Sequence, residues 1–205
     1  MNIRFTISLV LMLLSLSTSL YAANGSASQD ETQTTVSTEY NDSYAHTLTT
    51  EQIYEIGLKA YQAADYPNAV LWFGKAVEDE DPKAQFYLGY CYLNGYGVEN
   101  DNEKAATLFT KSSLKGIRAA QHNLGCLYFN GLGVEQDQAK AVELFRKSAE
   151  QGYADAQNNL GYCYDHGLGV EQDYEEALKW YRKAAAQGHK LANGNLKVLL
   201  EKMNE

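Results

Sequence analysis

Four histidines and three cysteines are the side chains of this 205-residue chain best suited to nucleophilic or metal chemistry. His46, His122, His166 and His189 are scattered, and none stands in the His-Glu-x-x-His spacing that turns two imidazoles toward one zinc ion. Cys91, Cys126 and Cys163 form no Cys-x-x-Cys pair. His122 and Cys126 lie one helical turn apart, a spacing that could set a base beside a thiol, but no orienting acid or oxyanion donor accompanies them. Gly-x-Gly-Val runs at Gly95–Val98, Gly131–Val134 and Gly167–Val170 have the look of phosphate loops. Each falls between two helical patterns rather than between a strand and a helix, so it reads as a helix stop. No cofactor and no metal site is expected, and binding is favoured over catalysis.

Those glycines belong to a longer pattern. Pro82–Ile117, Arg118–Tyr153 and Ala154–His189 align without a gap at a period of 36 residues. Each carries Ala-Gln (Ala84-Gln85, Ala120-Gln121, Ala156-Gln157), then Leu-Gly (Leu88-Gly89, Leu124-Gly125, Leu160-Gly161), then the glycine loop and an Asp at 101, 137 or 173. A period in this range marks a solenoid, whose units bury their apolar faces only against neighbours. In the middle repeat, Ala120, Leu124, Leu127 and Tyr128 give one apolar helical face, and Ala141, Leu144, Phe145, Ser148 and Ala149 give a second. Gly131 suits the left-handed C-cap of the first helix and Asp137 the N-cap of the second. Small residues at Gly125 and Ala141 allow the two helices to approach closely. Glu51–Asp81 reads as a related unit with a loop four residues shorter, and residues 190–205 as a terminal helix shielding the last apolar face, with Lys197, Glu201 and Lys202 toward water.

The ends carry separate signals. Residues 1–22 have one charge, Arg4, then an apolar stretch and Leu-Tyr-Ala-Ala, which reads as a secretory leader cleaved after Ala22 or Ala23. Its uninterrupted apolar run, Leu9–Leu14, is far below the roughly 20 residues a membrane span needs, so no stable membrane insertion is expected after cleavage. Residues 23–47 are polar without a helical period and read as a flexible spacer. The chain is expected to be exported, with the periplasm favoured over the outside of the cell. A net charge of −9 without a Lys/Arg cluster argues against nucleic acid as a partner. An odd number of cysteines cannot pair completely within the chain, and these three read as small buried hydrophobes on packed helices.

The motif Ala-Gln-x-x-Leu-Gly-x-x-Tyr-x-x-Gly-x-Gly-Val-x-x-Asp resembles the Sel-one-like repeat (SLR), a branch of the tetratricopeptide-like solenoids, over about Pro82–Asn195. The shorter 48–81 unit looks more like a tetratricopeptide repeat, with Asp65-Tyr66-Pro67-x-Ala69 opening its second helix. The resemblance implies an all-α, right-handed superhelix of antiparallel helix pairs and a non-enzymatic adaptor that binds a protein or peptide partner. A cysteine-rich secreted branch pairs a Cys in both helices of each repeat. Ser113, Ala149 and Ala185 stand at the second-helix positions here, so that branch's disulfides and its penicillin-binding or β-lactamase activity are not carried over.

In tetratricopeptide-like solenoids peptides lie on the concave surface, lined by the first helix of each repeat. Counted from each Leu-Gly, the corresponding positions here are Tyr54, Leu58, Tyr61 and Gln62, followed by Phe86, Tyr90, Leu93 and Asn94. The next two repeats supply His122, Cys126, Phe129 and Asn130, then Asn158, Tyr162, Asp165 and His166. Aromatic area combined with Asn hydrogen bonding suits an extended peptide. A glycan-binding modulator of cell-wall enzymes is the alternative, since stacked Tyr rings also suit sugar faces, and a hydrolase is the remote third reading.

Overall fold

A computed structural model describes residues 48–204, so the leader and spacer expected in residues 1–47 lie outside the described residues. The described residues form helices and no strands. In chain order these are α1 Thr50–Gln62, α2 Tyr66–Glu78, α3 Pro82–Asn94, α4 Asn102–Leu114 and α5 Arg118–Asn130. α6 Gln138–Glu150, α7 Ala154–His166, α8 Tyr174–Ala186 and α9 Lys190–Met203 complete the stack. Each helix packs on the next one in sequence, and successive pairs build a solenoid. Among the described residues no helix is long and apolar enough to cross a membrane.

Local chemistry accounts for the helix ends. Asp65, Asp81, Asp101, Asp137 and Asp173 are N-caps whose carboxylates accept from backbone N–H groups in the first turn. Asp173 accepts from both Glu175 and Glu176, while the Glu176 carboxylate pairs with Lys179 at 2.8 Å; a full capping box is made at Thr49–Gln52. Gly131 closes α5 in the left-handed region at φ 68°, as expected. The loop's second glycine, also left-handed at φ 67°, has a further reason: a Cβ on Gly133 would overlap the Asn102 backbone, at the N-terminus of the preceding repeat's second helix. Inside the pair, a Cβ on Gly125 would stand 2.7 Å from the fully buried Phe145 ring, which is why the Leu-Gly glycine is needed.

The Ala-Gln element ties repeats together. Gln121 Nε2 donates to the Ser113 carbonyl at the end of the preceding helix, and its Oε1 accepts from Gln151 at 2.7 Å. Gln157 repeats the pattern with the Ala149 carbonyl and Gln187. Lys115 occupies the place of Gln151 and Gln187 in the first full repeat, and there the Gln85 Oε1 is buried without a hydrogen-bond partner.

At the C-terminal end, α9 buries Ala192 and Leu199 against the stack. Lys197 stands where Gly89, Gly125 and Gly161 admit a second helix, which closes the array to a further close approach. Lys197, Glu201 and Lys202 are exposed as expected, but so are Leu191, Val198 and Met203. Among the described residues no partner helix covers that side of α9.

Candidate functional site

The sixteen positions expected on the peptide-facing surface separate by depth, with Cys126 buried, Leu58 and Leu93 half-buried and Gln62 exposed. Tyr54, Phe86, Tyr90, His122, Phe129, Asn158 and Asp165 are buried, between 2% and 9% exposed. Tyr61, Asn94, Asn130 and Tyr162 are half-buried and His166 is exposed. The physical reason is a seam that single-repeat spacing does not reveal: successive first helices touch at an offset of one repeat plus one residue. Asn159 Nδ2 meets the His122 ring at 3.1 Å, Asn195 Nδ2 donates to Asn158 Oδ1 at 3.0 Å, and Lys202 reaches Asp165 at 3.3 Å. Positions three before and four after the glycine therefore serve the joint between repeats.

Aromatic rings dominate the N-terminal part of this seam. Tyr54 packs with Phe73 and Tyr87, Tyr61 with Tyr66, Tyr87 and Tyr96, and Tyr66 stacks on Tyr96 with centroids 4.5 Å apart. Burial raises the phenols of Tyr54 and Tyr61 far above their ordinary value and pushes Tyr90 up to about 12. These hydroxyls stay protonated at any physiological pH.

Farther along, the seam turns polar. An Asn159 amide N–H donates to His122 Nε2, so the proton of the neutral ring is on Nδ1 and donates to Asn123 Oδ1 at 3.1 Å. Cys126 Sγ lies 3.6 Å from the same Nε2. Burial lowers the His122 proton affinity and raises the Cys126 thiol well above its ordinary range, so both are neutral. The thiol and imidazole are thus part of a buried hydrogen-bonded lattice and not an activated nucleophile pair. All three cysteines are buried without a disulfide, and among the described residues no group of three or more His, Cys, Asp or Glu could hold a metal ion.

The more accessible positions keep a regular order. Asn94, Asn130 and His166 end the first helices of successive repeats, and each bonds back to the carbonyl four residues earlier. Tyr162 stacks on His166 with centroids 4.1 Å apart.

One concavity escaped the sequence reading altogether. Tyr54, Phe86 and Tyr87 floor a groove of about 420 Å³ that is walled by Lys83, Ile117, Arg118 and Gln151. It crosses three repeats, and Lys83 and Arg118 hold different positions within their own repeats, so no periodic signal joins them. One repeat later the equivalents of Ile117 and Ala119 are Tyr153 and Asp155, and the same place is filled: Tyr153 packs on His122, and Asp155 bonds His189 at 2.9 Å.

A family model for the Sel1 repeat matches residues 52–81, 82–117, 118–153 and 154–189, so it takes in the short first unit as well. Among solved structures, a protective antigen of uropathogenic Escherichia coli strains, displaying an SLR fold, is 36% identical with a TM-score of 0.73, over 78% of this chain and 35% of its own. A Sel1 repeat protein from Oxalobacter formigenes is 35% identical with a TM-score of 0.68, over 71% of this chain and 58% of its own. Cysteine-rich protein B of Helicobacter pylori shares the fold at 21% identity and a TM-score of 0.50, over 73% of this chain and 98% of its own. No curated protein sequence matches the chain. The chain thus spans less than two thirds of the first two solved relatives. The in-phase glycines, the buried Gln ties and four consecutive matches lead to one assignment: this chain belongs to the Sel1-repeat family.

Proposed function

We propose that this chain is an exported, non-enzymatic adaptor that holds a peptide segment of an envelope protein along the outer edge of its first helices. Sel1-repeat proteins generally mediate protein–protein interaction, which sets the class. The observation that carries the finer reading is the row Asn94, Asn130 and Tyr162–His166, accessible on successive repeats and held by the same helix-end bond. Regular spacing on a stiff stack suits an extended ligand, and aromatic and amide side chains suit its side chains and backbone. The apolar leader supports export. The neutral, buried His122–Cys126 pair offers a hydrolase no exposed nucleophile.

Crosslinking in intact cells, followed by pull-down with the wild type and with Tyr162→Ala/His166→Ala, tests this reading once circular dichroism shows equal helicity. Capture of an envelope protein by the wild type and its loss from the variant is the expected result; unchanged capture overturns the surface assignment. The Tyr162–His166 stack would also suit a sugar face, so a second arm adds soluble peptidoglycan fragments. Displacement by the fragments would favour the glycan reading instead.

A further inference from the structure

We infer that the groove between Tyr54, Phe86, Tyr87 and the start of α5 binds an extended acidic peptide segment, an Asp or Glu beside a bulky apolar residue. This inference rests on the peptide-adaptor reading and names both a second contact surface and the chemistry of its ligand. Size is the first argument. At about 420 Å³ the groove falls within the range of small recognition sites, near 300–1,000 Å³, and accommodates a few side chains rather than a domain.

Composition is the second argument. Three aromatic side chains supply an apolar floor, while among the described residues the formally charged side chains lining it are Lys83 and Arg118. Both are exposed, on a chain whose net charge is −9. Lys83 Nζ lies 5.4 Å from the Tyr54 ring centroid, so a cation is held directly over the aromatic floor. Arg118 has one N–H committed to the Gln151 carbonyl at 3.3 Å, which fixes its guanidinium at the wall and leaves further donors for a carboxylate. An apolar side chain on the rings with a neighbouring carboxylate toward the cations matches both the aromatic floor and the positive charge of the lining.

This place, moreover, is built at one junction among the described repeats. Moved one repeat on, Lys83 becomes Ala119, Arg118 becomes Ala154, Phe86 and Tyr87 become His122 and Asn123, and Ile117 becomes Tyr153. Both cations and two of the three floor rings are lost, Tyr54 alone being replaced by another aromatic, Phe86, and Tyr153 and Asp155 come into the place of Ile117 and Ala119. A feature required only for stacking would recur with the period. The groove lies across repeats, so the ligand runs through it as an internal segment, its carboxylate a side chain.

The test is selection of random short peptides displayed on phage against the intact chain, in parallel with Lys83→Glu/Arg118→Glu. Enrichment of Asp or Glu next to Phe, Tyr, Leu or Met is expected. An enriched peptide, made with blocked ends, should bind the wild type about tenfold or more tighter than the charge-reversed variant, and weaken as salt rises. Amide shifts of the labelled chain on adding the peptide should centre on residues 83–87 and 116–119. Failure to enrich any sequence, enrichment without acidic residues, or shifts centred elsewhere overturns the inference. Those failures leave the adaptor reading standing if the Tyr162/His166-dependent capture succeeds, so the two can fall separately.

Discussion

A single side chain can reveal what its repeat lacks. Gln121 and Gln157 satisfy both ends of their buried amides, whereas Gln85 Oε1 has no partner because Lys115 replaces the glutamine found at 151 and 187. Lys115→Gln should supply that donor and raise stability by about 1 kcal/mol, read as a higher denaturant midpoint at unchanged slope. His122 makes a pH prediction. Burial lowers its proton affinity in the folded chain, so the unfolded chain takes up a proton first on acidification, near pH 6.5. Stability from the neutral ring is therefore complete above about pH 6.5 and is lost as pH falls through the lower folded value. His122→Asn, which copies Asn158 at the same repeat position, should flatten that part of the stability–pH curve measured by denaturant titration between neutral and mildly acidic pH.

For the helices, the informative case is α9. His189 is its N-cap, with Nδ1 accepting from the Ala192 N–H at 3.1 Å and Nε2 donating to Asp155 at 2.9 Å. His189→Ala removes both bonds and should cost about 1–2 kcal/mol, with faster amide exchange confined to α9 and the start of α7. Most helix limits were legible beforehand, because Asp N-caps and glycine C-caps act within one turn and need no tertiary partner. The solvent-facing Val198 and Leu200 were less so: apolar periodicity marks a face without saying whether another helix arrives to cover it.

Across the described stack, helices pack within their own repeat and against the adjoining ones, so damage should stay local and its cost should depend on position. Phe145 is fully buried on Gly125 in the middle of the array, and Phe145→Ala should cost about 3–5 kcal/mol and weaken cooperativity between the two halves. Leu199→Ala, at the end, should cost about 2–4 kcal/mol and expose only the last helices to exchange. Comparing hydrogen exchange of the two variants checks this; equal protection loss along the whole chain in both would contradict a nearest-neighbour array.

The amino-acid sequence by itself determined the period, the helix pairs and the close approach at Gly125, because these depend on local backbone preferences and on contacts that recur in phase. Only the tertiary structure decided which first-helix residues are accessible. His122 and Asp165 share a helix face with exposed positions, but they are covered by helices from the adjoining repeat, and Phe129 is buried against Phe145 of its own repeat. It also decided where Lys83 and Arg118 meet Tyr54, since that groove forms between three repeats at positions out of phase with one another. Periodicity encodes what every junction shares; a surface made at one junction depends on the side chains that differ there.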